Sequence, residues 1–370
     1  MGMNLEKPGI LEILKLAPAD IDHLFRRSGL NGNQLSSYSY NAEQAATSSP
    51  SEFFKPLAES TNFASIAKKL LAPDLKIEFI RGGAGSAEET YHAFLSLEDN
   101  DVLVQFMGSD GDLLLLLFDT EEYFLQWWAD IYASNAGNAY QPVFPDSMDT
   151  EVLVCALHCI DIYRRSYLES MLAYSGELSL SISTGDFVDL LKRSLSSKDK
   201  RWLLPTMFEI TPGLKGINIA LKPEHLNKVA ELGFLTINEN VLTLGERSRI
   251  MGTEVITSWL GSVACQATAL INGQEKSLSR MFLTPTAFAN HLFSFETAAG
   301  GGSRFRHKAS TMPELIQALM TWIEALQKVI GGTAPAKAAP RQAPAMKFCG
   351  QCGAELKPGK KFCTSCGTAI

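Results

Sequence analysis

LKIEFIRGG, residues 75–83, reads as a strand running into two glycines, and it has a counterpart further along the chain. Shifted by 191 positions, FIRGG (79–83) falls on LINGQ (270–274), so Ile80 meets Ile271 and Gly82 meets Gly273. The same offset sets Tyr91 on Phe282, Val102 and Val104 on Phe293 and Phe295, Thr120 on Thr311, and Gln126 on Gln317, with no gap. The turn GSDGD (108–112) falls on AGGGS (299–303).

Element order agrees with this alignment. Each unit opens on a helical segment, ASIAKKLL (64–71) or EVITSWLG (254–261). A strand follows, LKIEFI (75–80) or ACQATALI (264–271). Three more strand-like runs come next, the last two joined by a glycine-rich hairpin turn. A helix closes each unit, TEEYFLQWWADI (120–131) and TMPELIQALMTWI (311–323). In the second of these, Thr311 with Glu314 three residues on forms a capping box. The expected fold class is therefore α+β: a duplicated antiparallel sheet with helices on one face. A period this long marks a duplicated domain rather than a solenoid.

Between the copies the chain turns helical. Residues 149–172 predict one long helix with an apolar stripe at Val152, Ala156, Ile160, Tyr163, Tyr167 and Met171. Residues 186–195, 198–210 (interrupted at Pro205) and 223–233 read as further helices, and 234–245 as a hairpin with an Asn-Glu-Asn turn, a winged-helix pattern. The expected organisation is a first α+β half (1–148), a helical, winged-helix-like insert (149–250), a second half (251–330), an Ala/Pro-rich linker (331–346) and a cysteine-rich tail (347–370).

The tail, KFCGQCGAELKPGKKFCTSCGTAI, holds four of the chain's seven cysteines in two C-x2-C turns, Cys349 with Cys352 and Cys363 with Cys366. Each such turn aims two thiolates at one point, and two turns complete a tetrahedron. A segment this short cannot bury enough apolar surface to fold alone. Structural zinc contributes roughly 10–16 kcal/mol to such modules. One structural zinc ion is the expected cofactor; iron in the same four thiolates is the rival, and disulfides would suit a secreted chain. Four thiolates leave no open position for catalysis. These residues resemble the bacterial C-terminal zinc-ribbon family, with its FCxxCGxxLxxxxxFCxxCG pattern. The resemblance implies a structural zinc module that contacts protein or nucleic acid. Over residues 1–330, two duplicated α+β halves in an acidic body resemble the EspG family of type VII secretion chaperones. That implies a non-enzymatic chaperone or adaptor gripping a helical secretion substrate.

Charge is unevenly divided. The whole chain carries −7; the tail contributes +3 and the linker +2, leaving −12 on the body. An acidic body repels nucleic acid at long range, whereas the basic tail could touch an anionic partner. No signal-peptide pattern is legible, and the most apolar long stretch (255–271) is too short and polar for a membrane span. A cytoplasmic protein with no membrane partner is expected.

Other candidates read best as structure. Cys155, His158 and Cys159 share one helical turn but lack a fourth metal ligand. RGGAGSAEE (81–89) is glycine-rich but lacks the lysine and following helix of a phosphate loop. Asp110 and Asp112 could meet a cation but read as a hairpin turn. Trp127 and Trp128 are consecutive on a helix, so one is expected in the core and the other at its rim, a candidate contact anchor. No catalytic motif appears around His23, His92, His158, His225, His291 or His307. The expected function is a cytoplasmic protein-binding adaptor or chaperone, not an enzyme. The alternative is a nucleic-acid-binding regulator using the winged helix, with Lys228 and His225 on its recognition helix, and the basic tail.

Overall fold

The computed structural model describes residues 9–332 apart from 42, 44–47, 83–88, 136–142, 216, 218, 257–260 and 298–302. The chain divides into two compact units, Met1–Ile330 and Gly331–Ile370. The zinc-ribbon cysteines, the turn at 299–302 and most of RGGAGSAEE lie outside the described residues.

The first half starts with strand β1 (Ile10–Leu16), then helices α1 (Asp20–Ser28), α2 (Phe54–Glu59) and α3 (Phe63–Leu71). Four strands follow, β2 (Leu75–Arg81), β3 (Glu89–Leu95), β4 (Val102–Met107) and β5 (Leu113–Phe118), and then α4 (Glu121–Tyr132). The second half starts with the short β6 (Ser147–Asp149) and α5 (Thr150–Leu172). Then come β7 (Ser181–Ser183), α6 (Thr184–Ser196), α7 (Leu203–Ile210), α8 (Pro223–Glu231), β8 (Leu235–Asn238), β9 (Val241–Leu244) and α9 (Glu246–Val255). Strands β10 (Val263–Ile271), β11 (Gln274–Pro285), β12 (Asn290–Thr297) and β13 (Ser303–Ser310) and helix α10 (Met312–Gly331) complete it.

One ten-stranded antiparallel sheet joins the halves in the order β1-β5-β4-β3-β2-β10-β11-β12-β13-β6. The order reads the same from either end: an opening strand at the edge, then the half's last sheet strand inward to its first. The seam is β2 against β10, with Lys76 opposite Thr268 and Ile77 opposite Ala267. The offset of 191 carries 76 to 267 and 77 to 268, so these two pairs exchange under a pseudo-two-fold axis. The helical insert sits inside the second half, between its edge strand and β10.

Helices cover both faces of the sheet, where one face was expected. On one face α4 and α10 pack over both halves, onto Ile77, Phe79, Tyr91, Val104 and Leu283. On the other, α1, α2 and α3 cover the first half through Phe94, Leu103, Leu113, Leu115 and Leu117. The insert covers the second half there, through Ala264, Phe282, Phe293 and Phe305. The apolar run LLLLLF of β5 follows from this: Leu113, Leu115 and Leu117 face one helical layer, Leu116 and Phe118 the other. Each such side chain contributes about 1.5–3 kcal/mol on burial.

Three more expectations are corrected. Trp127 and Trp128 are both buried, Trp128 against Phe79 and Trp127 against Phe106 and Phe118, so neither is a rim anchor. Residues about 100° apart on α4 both meet protein because that helix lies in a layer filled by aromatic neighbours. The α5 stripe does not hold: Val152 to Asp161 is buried all round, while Met171 is exposed. The helix before β10 starts at 246 rather than 254 and runs to 255; residues 257–260 of EVITSWLG lie outside the described residues. Half of the expected capping box forms at α10: Glu314 accepts from the backbone N–H of Thr311 at 2.9 Å, while the Thr311 hydroxyl donates to the same carboxylate at 3.0 Å.

Candidate functional site

Helix α5 is the axis of the insert. Asp161, buried on its side, accepts from Arg164 Nη1 at 2.9 Å and from the backbone N–H groups of Leu203 and Leu204, both at 2.9 Å. Two of the orphan donors at the start of α7 are thereby satisfied by a carboxylate from another helix. Pro205 stands in the first turn of α7, where its missing N–H costs nothing, rather than interrupting a longer helix. Gly252 of α9 lies so close to α5 that an added Cβ would fall 2.2 Å from the Tyr163 ring.

One face of α5, carrying His158, Asp161, Ile162, Arg165, Leu168, Glu169 and Leu172, borders an open groove of about 480 Å³. At 1.5 Å per residue that face runs roughly 20 Å. Leu190, Arg193 and Ser194 of α6, with Ser197, Trp202 and Pro205, form the other wall. His158 is buried at the base, its ring edge-on to Phe187 at 4.9 Å. Among the described residues neither ring nitrogen makes a hydrogen bond of good geometry, although the Phe187 backbone stands near the ring. Burial lowers its pKa to about 4, against the opposing influence of the Phe187 backbone, so the imidazole is neutral at pH 7. The charged groups around it are mostly committed: Asp161 to Arg164 and α7, and Arg165 to Glu169 at 2.7 Å. Arg193 has no carboxylate partner among the described residues; its Nε donates to the Asp189 carbonyl at 3.4 Å.

Beyond the groove α5 ends in an apolar tip, with Leu168 40%, Met171 57%, Leu172 81% and Tyr174 98% exposed. The helix closes in a Schellman pattern, Ser175 N–H to Ser170 C=O and Tyr174 N–H to Met171 C=O. Tyr174 holds the left-handed position with φ of 52°, where glycine is the cheap choice.

The remaining sequence candidates resolve as structure. Cys155 and Cys159 are buried; burial pushes Cys155 up to about 12 and Cys159 well above the usual thiol value, so both stay protonated. Asp110 and Asp112 do meet a cation, the Lys15 ammonium of β1, at 2.8 Å each. Lys228 of the proposed recognition helix pairs with Asp149 at 2.9 Å. The fold around it does form a three-stranded sheet in the order β7-β9-β8. Among the described residues no group of three His, Cys, Asp or Glu side chains could hold a metal ion, and no helix is long and apolar enough to cross a membrane.

Two buried clusters went unseen in the sequence. His291 Nδ1 and His307 Nε2 lie 3.0 Å apart, with Glu254 Oε2 3.6 Å from His291 Nε2, tying α9 to β12 and β13. Fully buried Lys69 of α3 donates to Asp99 and Asp101, both at 2.6 Å, and to Ser65 at 2.9 Å. Burial, then the neighbouring Asp101, raises Asp99 to about 6 against the pull of Lys69. No short-range pattern signals either cluster.

Comparison with known proteins bears first on the tail. Residues 348–370 match the zinc-ribbon domain. No curated protein matches the sequence. Among solved structures the chain is similar to the type VII secretion system chaperone EspG5 of Mycobacterium tuberculosis, seen in complex with the PE25–PPE41 dimer. The identity is 10% and the TM-score 0.36, over 83% of this chain and 94% of that one.

Proposed function

We propose that this chain is a non-enzymatic, cytoplasmic protein-binding adaptor of the chaperone kind, whose body grips a partner through the tip of α5. A zinc ribbon, closed by Cys349, Cys352, Cys363 and Cys366 around one structural zinc ion, makes a second contact. The observation that carries the reading is the exposed apolar tip: four large side chains within seven residues, ended by a tyrosine in a backbone conformation that favours glycine. Clustered apolar exposure marks contact sites, and strain held at a surface position points the same way. Two tethered contacts raise avidity when the linker spans both sites.

The test is a photo-crosslinking amino acid at position 174 of the tagged full-length protein, expressed in the native host. One predominant crosslinked protein, lost in Leu172→Asp, is expected. Crosslinks to abundant folding chaperones alone would defeat the reading, and salt-sensitive retardation of duplex DNA would favour a nucleic-acid regulator instead. Tyr174→Gly separates stability from binding. It should raise unfolding free energy by about 1 kcal/mol, by relieving the left-handed residue, while weakening the crosslinked complex.

A further inference from the structure

The groove beside the tip has features that a protein contact does not need. His158 is nine-tenths buried, yet among the described residues neither ring nitrogen makes a hydrogen bond of good geometry, the Phe187 backbone being the nearest influence. Buried polar groups are ordinarily hydrogen-bonded, and leaving one unmade costs about 1–3 kcal/mol. The groove that reaches it is large enough for a small molecule, since ligand pockets run to about 300–1,000 Å³. Its walls at Ile162, Leu190, Trp202 and Pro205 are apolar. Its charged lining is Arg165 and Arg193 against Asp161 and Glu169; Glu169 holds Arg165 and Asp161 is held by Arg164, which leaves Arg193 as the uncompensated charge among the described residues. Arg193 borders the groove without a carboxylate partner among the described residues.

We propose that the groove between α5, α6 and α7 binds a small amphipathic carboxylate. Its apolar body lies along Ile162, Leu190 and Trp202, its anionic end meets Arg193, and a neutral hydroxyl or carbonyl on the ligand completes the hydrogen bond that His158 lacks. A neutral imidazole both donates and accepts, so either group satisfies it. Arg193 supplies the planar fork that suits a carboxylate. The site goes beyond the docking reading: Leu168 and Leu172 border both surfaces, but neither His158 nor Arg193 belongs to the apolar tip.

The experiment is calorimetric titration of the full-length protein with decanoate, 10-hydroxydecanoate and decylammonium, below their micellar concentrations. Saturable binding of one molecule per chain is expected, tightest for the hydroxy acid and absent for the ammonium. Arg193→Gln should weaken both acids about tenfold, the loss of one charge-assisted hydrogen bond. His158→Phe should abolish only the advantage of the hydroxy acid. No saturable binding of either acid, equal binding of decylammonium, or an Arg193→Gln variant that binds like wild type would overturn the proposal. Arg193 lies on the rim, so its variant keeps the test decisive even if His158→Phe unfolds. The crosslinking at position 174 needs no ligand, so the two readings fail separately.

Discussion

The two halves share a sheet plan and differ in what covers its second face. In the first half three short helices close that face, and a fully buried lysine is held by Asp99 and Asp101. In the second half the corresponding connection grows into the insert built on α5, whose buried histidine makes no hydrogen bond of good geometry among the described residues at the base of an open groove. One buried cation is satisfied, and one buried imidazole is not. A duplicated sheet thus supplies the frame twice, and the longer connection carries the surface on which a partner or ligand could act.

The largest effect is expected where burial is fully compensated. Lys69→Ala should destabilise the body by about 3–5 kcal/mol, since it leaves two carboxylates together without their cation. Chemical denaturation measures this, and a loss under 1 kcal/mol would mean that the first half closes on apolar packing alone.

The histidine side of the comparison predicts a pH dependence. Burial lowers His158 from an unfolded value of 6.5 to about 4 and moves His307 in the same direction. Below pH 6.5 the unfolded chain takes up protons that the folded chain refuses, so stability is complete above that pH and is lost as pH falls toward 4. The loss from His158 is about 3 kcal/mol at most. Melting temperatures across that window should fall, and His158→Phe should fall less steeply; identical slopes would remove His158 from the account.

A smaller effect probes the anchoring of the insert. Gly252→Ala should cost about 1–3 kcal/mol by pushing α9 off the Tyr163 ring. It should leave the melting of a variant already lacking the Lys69 network lowered by the same amount, because the sites lie in different layers.

The smallest effect on the body is expected from the tail. Cys363→Ser should remove the single zinc ion, read by elemental analysis, while the body melts within a degree or two of wild type. A large drop would make the ribbon part of the body's own fold.

Local chemistry made part of this legible. LKIEFI and ACQATALI, their shared offset, the four strands of each half, the capping pair Thr311 and Glu314, and the cysteine spacing of the tail all depend on neighbours in the chain, and all could be read from it. The strand ILEILKL at β1 was passed over because an edge strand is defined by its partner, here β5. The three-residue β6 is invisible for the same reason. What only tertiary structure decided is which faces the helices cover, hence the burial of both Trp127 and Trp128, and what surrounds each polar group. In the sequence Lys69 is the second of two adjacent lysines on an amphipathic helix, and His158 is a polar residue within the apolar run of 152–160. The packing of distant segments gives the first two carboxylates and leaves the second without a well-formed hydrogen bond among the described residues, because hydrogen bonds and burial depend on position in space, which residue order alone does not contain.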